Sequence, residues 1–144
     1  MIDDPASPQP NPMDVANCVC ANLRMAARVV TRSYEAALRP AGLKATQFTL
    51  LAVLAKLGEG PLNRLAEALA MDRTTLSRNL KPLVRRGLIH LGPGDDQRVR
   101  NVSLTEAGSV AFESAQAEWQ QAQSRLVESL GPARWSRLQE DLAA

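Results

Sequence analysis

The sequence predicts a mainly α-helical fold with one small β-hairpin, and three observations carry that prediction. Apolar residues make up 45% of the 144-residue chain but aromatic ones only 3%, so the core must be built from Leu, Val and Ala. Leu and Ala are among the best helix formers. Apolar positions recur at spacings of three and four along most of the chain, in blocks closed by Pro or Gly. Only after Gly87 does the pattern shorten to an apolar run, a turn and a second run. A chain of this length needs no disulfide or metal to fold, and one domain over residues 14–144 accommodates six helices.

Residues 14–39 contain neither Pro nor Gly, and Val15, Val19, Leu23, Ala26, Val30 and Ala37 mark one face of a long first helix. Pro40 and Gly42 end it. Thr46 stands where an N-cap belongs, and the second helix is apolar almost all round at Phe48, Leu50, Leu51, Val53, Leu54 and Leu57, so it should be buried. Gly58 and Gly60 stop it. Pro61 suits the start of a short third helix, with Leu62, Leu65, Ala66 and Leu69 on one side and an end near Met71. Asp72 can cap a fourth, whose apolar stripe is Leu76, Leu80, Leu83 and Val84 and which closes at Gly87. Pro82 within it forgoes one backbone hydrogen bond. Residues 88–91 and 99–104 read as two strands joined by GPGDDQ. Thr105 and Glu106 then open a long fifth helix reaching Leu130, weakened near its start by Gly108. After Gly131 and Pro132, residues 133–142 form a sixth, with Trp135 and Leu138 on one side.

Two short helices joined by about three residues form a helix-turn-helix outline, and the hairpin places a wing directly after it. The stretch MDRTTLSRNL, residues 71–80, has an unusual surface for a helix start. A helix that merely meets water does so with long Glu and Lys side chains, which have better helix propensity than Thr, Ser, Asn and Asp. With Leu76, Leu80 and Leu83 inward, Arg73, Thr74, Thr75, Ser77, Arg78 and Lys81 lie on the outward flanks. A major groove admits one α-helix, and Arg, Asn, Thr and Ser are the side chains that read its base edges. Short hydroxyl side chains allow a close backbone approach, and the helix N-terminus favours a nearby phosphate.

The charge distribution points the same way. Between Asp72 and Arg100 seven bases face three acids, a net +4, which leaves −2 for the remainder of a chain whose total is +2. A basic segment on a slightly acidic body suits a polyanion partner. Arg98, at the hairpin tip, is placed to enter a minor groove beside the helix. The rival reading is a winged-helix module for protein–protein contact, which would keep the leucine core but have no use for Arg73, Arg78 and Arg98 together. An enzyme is disfavoured: no Ser/His/Asp set, carboxylate pair or Gly-rich phosphate loop stands out, and one histidine restricts acid–base chemistry. No cofactor or metal site is expected. No apolar run reaches the ~18 residues of a membrane span. Residues 1–13, acidic at first and rich in proline, lack the apolar core of a signal peptide and read as a disordered arm. Two cysteines alone suit the cytoplasm.

The order of long helix, buried helix, MDRTTLSRNLKPLVRRGLI and DDQRVRNVSLTEAG resembles the multiple antibiotic resistance regulator (MarR) family of winged-helix transcription factors. The resemblance spans about residues 14–144. Its most specific part is the wing's D-x-R, Asp96 and Arg98, followed by Leu104, Thr105 and Gly108. It implies an obligate homodimer held by segments 14–39 and 105–144, with residues 40–104 as the DNA-binding part. It also implies Arg98 in the minor groove and Asp96 steadying nearby basic groups. Arg73, Thr74, Thr75, Ser77 and Arg78 would face bases and phosphates, and Lys81 and Asn63 phosphates. The apolar faces of the terminal helices, including Trp119 and Trp135, argue independently for a second subunit. Two-fold symmetry then calls for an inverted repeat with half-sites about one turn, ~10 bp, apart.

Cys18 and Cys20 lie two residues apart, ~200° around a helix, so they point away from each other and do not readily bridge within one chain. Cys20 stands where the organic-hydroperoxide-sensing branch of that family carries a reactive cysteine, and Tyr34 where that branch has a tyrosine bonding it across the dimer. Fourteen residues separate them, ~21 Å along the helix, so only a partner subunit could join them. Arg24 replaces a second tyrosine of that branch, and a guanidinium there could lower a thiol pKa. Two readings stay open: a redox sensor, or small apolar side chains at a dimer interface. A small-molecule effector is the other candidate trigger.

Overall fold

The structure, a computed structural model, describes residues 14–94, 96 and 99–143. The expected N-terminal arm and Arg98 lie outside the described residues. Leucine joins the elements: Leu38, Leu50, Leu51, Leu65, Leu76, Leu80 and Leu83 are each at most 1% exposed. They come from helices packed on one another, and fully burying one such side chain contributes about 1.5–3 kcal/mol.

The long first helix is α1, Val19–Leu38, and it starts later than the spacing predicts. Asp14 instead caps a single 3-10 turn, Val15–Asn17, by accepting from Ala16 N at 3.0 Å. A second 3-10 turn, Arg39–Ala41, leads to Gly42 at φ 66°, a left-handed conformation that glycine adopts without steric cost. Helix α2, Ala45–Leu57, is the buried one, with Phe48, Leu50, Leu51 and Leu54 inside. Its N-cap is Lys44 and not Thr46, and the cap works through Gln47, whose side-chain oxygen accepts from Lys44 N at 3.0 Å.

Gly60–Pro61 forms β1, a two-residue strand absent from the sequence prediction. Proline has no N–H to donate, and a sheet edge tolerates that. Helix α3, Leu62–Ala68, is shorter than expected, because Ala70 turns to φ 49° and Met71 N donates back to Ala66 O at 2.9 Å. That wrap closes the helix three residues before Met71 and sets the turn into α4, Arg73–Arg85. The apolar stripe of α4 is narrower than the spacing suggests: Leu76, Leu80 and Leu83 are buried, but Val84 is 37% exposed.

The wing strands are β2, Ile89–Pro93, and β3, Arg100–Leu104, antiparallel with Leu91 opposite Val102. Because β1 pairs with the other edge of β3, the sheet has three strands in the order β1-β3-β2. Helix α5, Glu106–Leu130, is capped by Thr105 and followed by α6, Pro132–Ala143. Among the described residues no helix is long and apolar enough to cross a membrane.

Gly108 has a role its helix propensity conceals. A Cβ there would lie 1.9 Å from Leu88 O, so only glycine lets the first turn of α5 cross the start of β2 at this distance. Trp119 also departs from expectation. It does not wait for a partner subunit but stacks on Phe48 of α2 at 5.7 Å, while Phe48 meets Phe112 at 5.3 Å. Uncovered apolar surface lies elsewhere, at Val15, Val19, Leu23, Val29, Val110, Leu138 and Leu142.

Gly108→Ala is expected to cost at least about 2 kcal/mol, because the clash is with backbone and not with a flexible side chain. Urea denaturation measures it; a loss under about 0.5 kcal/mol would contradict the close crossing.

Candidate nucleic-acid interface

The exposed side of α4 is defined from its cap upward. Asp72 accepts from Thr75 N at 2.9 Å and from the Thr75 hydroxyl at 2.6 Å. Those two bonds, the side-chain one first, hold the Asp72 carboxyl below its usual range. With Leu76, Leu80 and Leu83 turned inward, helical spacing makes Arg73, Ser77 and Lys81 one outward row and Thr74 and Arg78 the adjacent one. All five are exposed. Arg73, Arg78 and Lys81 form no ion pair among the described residues.

Thr75 differs from the other residues singled out in the sequence. It is exposed, but its hydroxyl hydrogen is committed to Asp72, so towards a base it can offer only acceptor lone pairs. Asn79, not singled out, is half-buried and donates to Met71 Sδ at 3.7 Å, tying α4 to the preceding turn. Asn63, on the first turn of α3, is exposed. Two exposed bases also escaped the motif reasoning, Arg64 on α3 and Arg100 on β3. The signal for Arg100 was its alternation with Arg98; Arg64 had none beyond its charge.

The wing turn is closed by Gly94 N donating to Val99 O at 2.7 Å and Val99 N to Asp96 O at 2.8 Å. A Cβ on Gly94 would come within 2.9 Å of Val99 O, so glycine permits the tight closure. Asp96 is exposed at this turn.

Cys18 occupies the N-cap position of α1 without a side-chain cap bond, Cys20 lies in its first turn, and both are exposed. Tyr34 is half-buried between α1 and α5. Its hydroxyl donates to Gln123 Oε1 of the same chain, its ring stacks 6.1 Å from Trp119, and burial pushes its pKa up. Towards any cysteine of a second subunit it therefore keeps acceptor capacity and not a free proton. Beside it a groove of about 420 Å³ runs between α1 and α5, lined by Ser33, Ala37, Glu118, Gln121 and Arg125 among others.

The geometry is that of a known family. The sequence profile of the MarR family matches residues 41–98, the segment from the end of the first helical block through β2, stopping short of β3. The Mycobacterium tuberculosis transcriptional regulator MosR, solved in complex with DNA, is 37% identical, with a TM-score of 0.81 over 88% of this chain and 91% of that one. A probable transcriptional regulator from Pseudomonas aeruginosa is 28% identical, with a TM-score of 0.75 over 90% and 97%. A mutant MarR from Escherichia coli, complexed with operator DNA, shares the fold at 23% identity, with a TM-score of 0.81 over 92% and 96%. No curated protein sequence matches significantly. The organic-hydroperoxide-sensing branch suggested by Cys20 and Tyr34 finds no support in these matches, whereas the winged helix, its capped and basic outward helix, and its likeness to DNA-bound regulators agree: the chain belongs to the MarR family of DNA-binding transcriptional regulators.

Proposed function

We propose that the protein acts in the cytoplasm as a homodimeric repressor that grips an inverted-repeat operator and releases it on binding a small ligand or on oxidation of Cys20. The observation that carries the DNA reading is the outward double row of Arg73, Thr74, Ser77, Arg78 and Lys81 on a helix whose opposite side is sealed by leucines. In this reading Arg78 and Thr74 meet base edges, Thr75 accepts from a base amino group, and Arg73, Lys81 and Asn63 hold phosphates. Arg98 takes the minor groove, with Asp96 steadying basic side chains nearby.

The dimer reading rests on apolar surface that one chain leaves in water. Val19 is 72% exposed, Val15 68%, Leu142 63% and Val110 61%. They sit on or beside α1, α5 and α6, away from the basic helix, so a second copy covering them leaves both reading heads free. This many large apolar side chains left in water is what a covering partner would explain. Two heads related by a two-fold axis then select half-sites about one turn apart.

For the trigger, the groove between α1 and α5 offers space for a small ligand at the same helices that carry the dimer contacts. Cys18 and Cys20 lie at the other end of α1. Either event can change the separation of the heads, and release then follows from unequal affinity of the two arrangements for DNA.

Gel shifts on a panel of palindromes test the readout. Arg98→Ala is expected to weaken all sites alike, whereas Arg78→Ala and Thr74→Ala also alter base preference, each losing about 1–3 kcal/mol at one position. Uniform losses for all three would defeat the assignment of bases to α4. Organic hydroperoxide tests the redox trigger: operator release that Cys20→Ser abolishes is expected, and undiminished binding by a dimer whose Cys20 is demonstrably oxidised rules the sensor out.

A further inference from the structure

The chain enters the winged part through residues 39–44, directly after α1, and leaves it through Thr105, directly before α5. Both crossings converge on one short segment, the C-terminal end of α4. Arg86 Nη1 donates to Gly42 O at 2.8 Å, across the entry crossing. The Thr105 hydroxyl donates to Gly87 O at 2.6 Å and accepts from Gly108 N at 3.0 Å, while Thr105 N donates to Leu88 O at 3.1 Å. Leu88 N in turn donates to Leu83 O at 2.9 Å, so the segment is continuous with the last turn of α4.

We infer that Arg86, with Thr105, is a positioning residue: the two pin the base of α4 to the ends of α1 and α5, and so set the angle and separation of the two reading helices on DNA. The inference rests on the two-fold reading given above. One Arg86 N–H is committed to a backbone carbonyl of its own chain, which aims the guanidinium at the entry crossing. That carbonyl belongs to Gly42, whose left-handed backbone turns the chain from α1 into α2. A charge-assisted bond at this turn resists rotation of α4 about its own base. Among the described residues, the side-chain hydrogen bonds at the opposite end of α4 stay within the helix-turn-helix, from Thr75 to Asp72 and from Asn79 to Met71. Residues 86–88 therefore give movement of α1 relative to α5 a hydrogen-bonded route to the reading helix.

The test is the dependence of affinity on half-site spacing. Inserting one base pair rotates one half-site against the other by about 35°. The parent dimer is expected to lose about tenfold or more in affinity on that insertion, and Arg86→Met less than about threefold, because an unpinned head can follow the rotated site. On an isolated half-site the two should agree within about twofold, and Arg86→Lys, which keeps a charged donor, should recover most of the spacing discrimination. Circular dichroism and the melting temperature report whether Arg86→Met is folded; if it is not, Thr105→Val replaces it in the same comparison. Full discrimination retained by the folded variant overturns the proposal, as does an equal loss on half-site and full site, which would make Arg86 a phosphate contact. A parent protein indifferent to spacing would overturn the two-fold reading itself, a failure visible without any variant.

Discussion

Burial of Leu76, Leu80 and Leu83 is the constraint on which the rest of the molecule depends. These three side chains, each at most 1% exposed, fix which way α4 faces. A helix has two sides at this spacing, so sealing one determines the other. The same packing that stabilises the protein therefore aims Arg73, Thr74, Ser77, Arg78 and Lys81 at solvent. At about 1.5–3 kcal/mol for each leucine, rotating α4 to bury its polar rows would forfeit several kcal/mol and bury unpaired charge as well.

Capping refines that orientation at the amino end. Asp72 closes the first turn and fixes Thr75, and the short Thr and Ser side chains of this turn keep the backbone near whatever the helix meets. The left-handed Ala70 bends the chain just before it, between α3 and α4. An alanine in that conformation costs about 1 kcal/mol relative to glycine, so the geometry of the turn is held by its surroundings and not by local preference. At the carboxyl end Gly108 allows α5 to cross β2 closely enough for Thr105 to reach Gly87.

An aromatic group links the winged part to the terminal helices. Phe48 of α2 lies between Phe112 and Trp119 of α5, and Tyr34 of α1 stacks on Trp119. With aromatic residues so scarce in the chain, this concentration at one junction stiffens the place where three helices meet. Val19 at the start of α1 and Val15 in the turn before it stay exposed among the described residues, and that imbalance motivates the dimer.

The sequence by itself determined the helices, their apolar sides, the Asp72 cap, the hairpin and the outward set on α4, because each follows from contacts between near neighbours in the chain: three- and four-residue spacing, a short capping side chain, a glycine turn. It also supported the family resemblance that the comparisons bear out. Contacts between distant residues were decided only by tertiary structure. The pairing of Gly60–Pro61 with β3 carries no alternation to read in two residues. The need for glycine at 108 exists only because Leu88 crosses there, and Trp119 looked like interface until Phe48 was placed against it. Tyr34 met Gln123, 89 residues away. Thr75 could be read as a donor to a base until its hydroxyl hydrogen was found on Asp72. Periodicity tells which side of an element is buried; what it is buried against depends on how the elements meet, and no local pattern encodes that.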